Sequence, residues 1–298
     1  MVSAETSGFP GSGMRRIHIH HRTEYHYPVE VRLLEHRLLL RPREGHDIRI
    51  ESSLLEISPS FHIVWRRDIY GNSVGHVSFD ETSDRLSVTS DVIVQHYEDQ
   101  PLDFVIDAAA EHLPFRYDPM EQIDLTPYQL AGFPQDSRVL ADWLAKLWRH
   151  GEIVETRELL NRLNRAVVDE VSYEKREEPG VQSPATTLTR AAGSCRDLAT
   201  LFIEACRSCG LAARFVSGYL VSSSSVVDFG TTHAWSEIYL PGSGWVGYDS
   251  TSGQPTGPEH IAVAVNRRPD AVPPISGAFV GPLEPKPVMQ VECLVELL

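Results

Sequence analysis

Cysteine and positive charge are both in short supply in this chain of 298 residues, and each shortage excludes something. The four cysteines, Cys195, Cys206, Cys209 and Cys293, cannot make a disulfide framework for a chain this long. Cys206 and Cys209 are spaced C-x-x-C, but they fall at the end of one helical pattern with no second ligand pair. That argues for packing rather than zinc or redox chemistry. Lysine and arginine number 27 against 41 acidic residues, a net charge of −14 with histidine neutral. Such a balance excludes a general nucleic-acid binder or a protein held to anionic membranes. No stretch approaches the apolar length of a membrane span. The opening MVSAETSGFPGSGMRR lacks the apolar run of a secretory signal, so a cytoplasmic location is expected. There is no internal repeat and no low-complexity tract.

What is present suits a globular protein. Hydrophobic residues make up 42% of the chain and aromatics 8%, enough for one large domain or two moderate ones. Period-2 stretches recur through the first third: Arg16 to Tyr25, Arg32 to Arg41, Asp47 to Ile57, Phe61 to Tyr70 and Arg85 to Gln95. Turn chemistry at Pro42-Arg43-Glu44-Gly45-His46 and Tyr70-Gly71-Asn72-Ser73 separates them, which predicts an antiparallel β-sandwich-like domain. Glu98 to Pro101, acidic and proline-bearing, forms the junction. Helical periodicity then covers Ser137 to Trp148, Ile153 to Asp169 and Ser194 to Cys209, and strands return in the last third. The expected organisation is a disordered leader over 1–13, a β-rich N-terminal domain over 14–100 and a mixed α+β domain over 101–298. Residues 173–187 read as a loop.

Three short segments carry chemistry. In Gly193-Ser194-Cys195-Arg196-Asp197, Ser194 is a good N-cap and Asp197 completes a short-armed capping box. Cys195 then lies in the first turn of a helix, where unpaired N–H groups and the positive end of the dipole favour a thiolate and could donate to an oxyanion. His233 to Leu240 and Trp245 to Asp249 read as strands joined by the turn Pro241-Gly242-Ser243-Gly244. A hairpin of that length brings His233, at the mouth, near Asp249. Thiol, imidazole and carboxylate are the three groups a cysteine nucleophile needs: the imidazole takes the proton and the carboxylate fixes its tautomer.

The run Ala191 to Leu220, AAGSCRDLATLFIEACRSCGLAARFVSGYL, followed by THAWSEIYLPGSGWVGYDSTSG, resembles the transglutaminase-like cysteine-enzyme superfamily. More narrowly it is similar to the bacterial branch described as cysteine-protease candidates. Ile17 to Val94, with HHRTEYHY, EHRLLLRPR, DIYGN and LSVTSDVIV, resembles the β-rich N-terminal region of that branch, and the tail HIAVAVNRRPDAVPPISGAFVG is similar too. The resemblance implies an α+β fold with a papain-like, transglutaminase-like catalytic core. Its G-x-C-x-D, H-A-W and W-x-x-x-D-x-T motifs assign Cys195 as nucleophile, His233 as base and Asp249 as orienting carboxylate. Ser250 stands where the family usually has proline.

The implied activity is hydrolysis of an amide bond in a peptide or protein substrate through a thioester acyl-enzyme. Transfer of the acyl group to an amine is the alternative, and an inactive binding or assembly module is a second. No cofactor or metal is called for. Some relatives in the superfamily use calcium, yet no EF-hand-like spacing is present. Gln182, in the loop before the cysteine, is a candidate oxyanion donor. His18 and His20 share a strand face on which no carboxylate set is evident, so they read as a solvated face, as do Arg41, Arg43, Arg66 and Arg67. Trp235 and Trp245 suit a core better than a substrate cleft.

Overall fold

In the computed structural model, which describes residues 14–97, 105–176, 178–221, 232–282 and 284–298, the chain begins with five antiparallel strands. These are β1 (Arg15–Leu38), β2 (Ile48–Ser58), β3 (Phe61–Arg67), β4 (Ser73–Phe79) and β5 (Thr82–His96), in the order β2-β5-β1-β4-β3. Along β1, Ile17, Ile19, His21 and Thr23 point inward while His18 and His20 are half-exposed, the alternation that a period of two demands. The stretch Arg16–Tyr25 and the first seven residues of Arg32–Arg41, read above as separate strands, are parts of this one strand, which ends at Leu38. Pro28 lies between them, and the ladder to β5 breaks its register between His26 and Val31, since proline offers no N–H to the ladder. Beyond that break β1 takes β4 as a partner. β4, SVGHVSF, carries two serines and a glycine, too weak an alternation to stand out in the sequence.

The middle of the chain is helical. The short strand β6 (His112–Leu113) pairs with β7 (Val154–Glu155), and β8 (Ser172–Tyr173) pairs in parallel with β9 (Ala192–Gly193). Among them run α1 (Pro119–Gln129), α2 (Ser137–Leu144), α3 (Thr156–Glu170), α4 (Pro184–Arg190) and α5 (Cys195–Ser208). Three of these helices match the periodicity with ends shifted by up to four residues. α1 escapes it, because Pro119 opens the helix and Pro127 interrupts its sequence pattern. The expected 173–187 loop contains the end of β8 and the first turn of α4. The leader 1–13 and the junction at Glu98–Pro101 lie outside the described residues.

A second antiparallel sheet follows: β10 (Ala213–Leu220), β11 (His233–Leu240), β12 (Gly244–Asp249), β13 (Gln254–Pro255) and β14 (His260–Asn266), in the order β13-β12-β11-β10-β14. Helix α5 packs against this sheet, and all of its residues except Arg196 and Ser208 are buried. The polar Glu204 and Arg207 are buried with it because each is satisfied. Arg207 donates to Glu204 at 2.5 Å and to the carbonyls of Tyr128, Ala213 and Arg267. Glu204 also accepts the Gly132 and Phe133 N–H groups.

The final strands, β15 (Ile275–Val280) and β16 (Val288–Leu297), leave this sheet and return to the first. β16 runs along Ile17–His26 and β15 along Arg32–Leu38 of β1. The tail, grouped by sequence with residues 101–298, thus completes the N-terminal sheet to seven strands. The reason is that β1 is 24 residues long and offers a whole edge that β4 and β5 do not use.

Polar contacts tie the two sheets together. The buried His21 imidazole meets the Tyr219 hydroxyl at 2.9 Å and the Thr23 hydroxyl at 3.1 Å. Burial presses that imidazole down to about 4, so it stays neutral at physiological pH. Asn72, at the β3–β4 turn, accepts the Val265 N–H at 2.9 Å and donates to the Val265 carbonyl at 2.8 Å. Its amide thereby stands in for a neighbouring strand along the outer edge of β14. Replacing it by alanine strands two backbone groups, each worth roughly 1–3 kcal/mol when left unpaired. Asn72→Ala is expected to lower the urea midpoint at unchanged m-value by the equivalent of about 2–6 kcal/mol. A loss below about 0.5 kcal/mol, the range of inert surface changes, would show that this edge needs no partner.

Candidate active site

Cys195 opens α5, and the turn before it is built around one carboxylate. Fully buried Asp197 accepts the Ser194 N–H and hydroxyl, both at 2.8 Å, and the Gln182 N–H at 2.6 Å. Arg176 donates to both of its oxygens at 2.9 Å. This is the capping box the sequence suggests, extended by a loop and a guanidinium from earlier in the chain. Gly193 is required for closeness rather than for a left-handed turn. A Cβ there would lie 2.9 Å from the Asp197 Cβ. The Cys195 side chain emerges buried at the helix start, in reach of β11.

His233 begins β11, and its Nε2 lies 2.9 Å from Asp249 Oδ2. The hairpin register pairs Ser236 with Tyr248, which puts Asp249 opposite Trp235 when extended. The carboxylate therefore reaches His233 diagonally, the two-residue offset at which side chains on one face still meet. The Cys195 side chain is the other group that acts on this imidazole. With Nε2 committed to Asp249, Nδ1 is the nitrogen left for the sulfur. Burial alone would press this imidazole down. The bond to Asp249 and the Cys195 side chain overcome that and push it up to about 10.

Asp249 is saturated with donors. Oδ1 accepts the Thr251 N–H at 2.8 Å and its hydroxyl at 2.7 Å, while Oδ2 faces both His233 and, at 3.2 Å, His260 Nε2. Burial would raise the carboxyl, but the bonds from His233, His260 and Thr251 hold it well below the usual carboxylate range. Behind it, the Ser250 hydroxyl donates to buried Asn164 Oδ1 at 2.7 Å, and Asn164 Nδ2 reaches back to the Asp249 carbonyl at 3.3 Å. The serine found in place of the usual proline thus ties the turn after Asp249 to α3.

Cys195, His233 and Asp249, singled out from the sequence, are brought together. Two other residues in contact with Asp249 were not: Asn164 sits in a helix without a motif, and His260 opens the tail segment whose resemblance assigned it no role. His233, Asp249 and His260 are also the described histidine, cysteine and acidic residues whose ligand atoms cluster, all within 4.8 Å. The 2.9 and 3.2 Å separations within that trio are hydrogen bonds.

Elsewhere the sequence candidates separate. Cys206, Cys209 and Cys293 are buried free thiols, and burial pushes all three up, the last two to about 12. Trp235 is buried against Val216 and Val265, its ring passing over Gly218, where a Cβ would come within 2.6 Å. Trp245 lies at the other end of the hairpin under the Arg214 guanidinium, 4.1 Å from the ring centre. His18 and His20 do share a face, and the structure adds the carboxylates that sequence could not supply. Asp91 on β5 accepts from both, at 3.1 and 3.0 Å, and Glu296 on β16 lies 3.3 Å from His18. Arg41, Arg66 and Arg67 line a shallow surface hollow with Trp65 and Ser73, while Arg43 braces the Tyr70 carbonyl and Asn72. Among the described residues, no helix is long and apolar enough to cross a membrane.

Comparison with known proteins agrees with this architecture. Residues 17–95 match the bacterial transglutaminase-like N-terminal region, and residues 149–250 match the transglutaminase-like superfamily. An uncharacterized protein of Mycobacterium tuberculosis is 28% identical over 295 residues, covering 93% of this chain and 91% of that one. Another, from Mycobacterium leprae, is 34% identical over 98 residues, 32% of this chain and 34% of its own. Among solved structures, a candidate cysteine protease from Cytophaga hutchinsonii superposes with a TM-score of 0.71 at 20% identity, over 95% of this chain and 91% of that chain. At that identity the likeness is one of fold. With the two family regions matched in order, the chain carries a bacterial transglutaminase-like N-terminal region followed by a transglutaminase-like core.

Proposed function

We propose that this protein is a cysteine-dependent amide hydrolase acting on a peptide or protein substrate through a thioester on Cys195. The observation that carries the proposal is the position of His233, which bonds Asp249 and interacts with Cys195. An imidazole raised to about 10 by those two partners holds a proton next to the sulfur at neutral pH.

The steps follow from that arrangement. With that proton resting on His233 Nδ1, the Cys195 sulfur adds to the substrate carbonyl carbon. The oxyanion so formed lies at the start of α5, where backbone N–H groups are unspent. Gln182 Nε2 is a buried donor with no partner among the described residues, which supports the role suggested for it from sequence. Collapse of this intermediate breaks the C–N bond, and His233 returns its proton to the departing amine. The thioester that remains is attacked by water as His233 takes a proton from it. Release of the acid restores the starting pair, with the proton on His233. Asp249 accepts throughout and keeps the imidazole in the tautomer that presents Nδ1 to the sulfur.

An amine could replace water in the second half. Nothing at Cys195, His233 or Asp249 selects an amine, and the attraction of a −14 charge for lysine is largely screened at physiological salt. Hydrolysis is therefore the favoured fate.

Cys195→Ala is expected to abolish turnover of a reactive amide or ester while leaving near-UV circular dichroism unchanged. Retained turnover would remove Cys195 from the mechanism, and an unfolded variant would mark the thiol as a packing element. Asp249→Asn is expected to lower kcat by about 10⁴, with His233→Ala comparably severe and the double variant little worse. Losses that multiply across the two positions would mean that they act separately. With millimolar primary amine present, the free acid is expected as the main product. Predominant amide product would replace hydrolysis with acyl transfer.

A further inference from the structure

One buried titratable group touches the proposed machinery without a part in the steps above. His260 opens β14, an edge strand separated from β12 and Asp249 by β11 and β10. Its ring nevertheless reaches over the ends of those strands to Asp249 Oδ2, at 3.2 Å from Nε2. Its side chain is 6% exposed, and Asp249's is 2% exposed, so water cannot readily replace that contact.

The tautomer of His260 follows from its other neighbours. The Gly257 N–H donates to Nδ1 at 3.1 Å, which makes Nδ1 an acceptor and puts the ring proton on Nε2. Glu259 Oε1 lies 3.3 Å from the same Nδ1, but the backbone donor already fills it. A carboxylate can only accept, so the Nε2–H of His260 and that of His233 converge on one oxygen. Trp235 fixes the direction of both rings. It stacks along His233 at 6.1 Å and meets His260 edge-on at 5.2 Å. Trp235 in turn occupies space that Gly218 leaves by lacking a side chain.

We infer that His260 is a positioning residue: by donating to Asp249 Oδ2 it fixes where that carboxylate meets His233 and keeps its charge stabilised in a nearly dry site. Thr251 holds only Oδ1, so without His260 the oxygen that orients His233 has His233 as its single partner. The inference rests on the proposed role of Cys195, and it extends that role to a fourth side chain that does not touch substrate. It acts through Asp249 alone.

The test needs no known substrate. Iodoacetamide reacts with Cys195 at a rate set by its neighbours, and mass spectrometry assigns the adduct among the four thiols, burial pushing the other three up. His260→Ala is expected to slow alkylation of folded protein roughly ten-fold or more, in line with other residues that hold a functional side chain in place. His260→Gln keeps a donor at the distance of Nε2 and should restore most of the rate, whereas His260→Asn, whose amide is too short, should not. In an Asp249→Asn background, His260→Ala should slow alkylation no further. Should His260→Ala not fold, the Gln and Asn pair carries the comparison. A wild-type rate in His260→Ala or His260→Asn, or an equal slowing in the Asp249→Asn background, overturns the positioning role. His233→Ala serves as the reference. If it too alkylates at the wild-type rate, the proposed role of Cys195 fails, and this inference with it.

Discussion

A charged carboxylate in a nearly dry place is the demand around which the site is built. Removing an ion from water costs several kcal/mol even after relaxation, and only close donors offset it. Asp249 meets that demand with four: two from Thr251, one from His233 and one from His260. Each donor comes at a structural requirement. Thr251 needs the tight turn after β12, which the Ser250–Asn164 bond ties to α3. His233 needs the hairpin register that sets Asp249 on its diagonal. His260 needs β14 to start where it does, beside a Trp235 ring that only a glycine at 218 admits.

The same logic of satisfied buried charge repeats on the sulfur side. Asp197 collects five hydrogen bonds from Ser194, Gln182 and Arg176, and so fixes the first turn of α5 from which Cys195 projects. Helix start and hairpin mouth are thus two rigid supports, each anchored by one carboxylate, that meet at the His233 ring. The N-terminal sheet contributes from a distance. Asn72 holds the outer edge of β14, and β14 carries His260, so a turn in the first hundred residues braces a strand of the proposed site.

How much of this could be read from the residues depended on sequence distance. Cys195 was legible because a helix cap is a local pattern, and the strands bearing His233 and Asp249 because a strong turn joins them. The diagonal offset between those two was not, since hairpin register is set by packing as much as by turn length. His260 stayed hidden for a plainer reason: the resemblance of its strand, HIAVAVN, gave the histidine no role, and its partner is found only after the chain has crossed the sheet. The same holds for β16 on β1 and for the carboxylates beside His18 and His20, which join positions more than seventy residues apart. Prolines concealed α1, and an undersized alternation concealed β4.

If Asp249 and Cys195 do act together through His233, the imidazole must keep its proton far above the ordinary histidine range, because both partners favour the charged ring. Nitrogen-15 NMR of the histidine side chains across pH 6 to 11 measures this directly, with His233→Gln to assign the signal. The account predicts that the His233 resonances remain those of an imidazolium at pH 8 and titrate near 10. In Asp249→Asn the midpoint should fall toward 6.5, the ordinary value. A His233 ring that titrates near 6.5 in the intact protein would contradict the account at its centre.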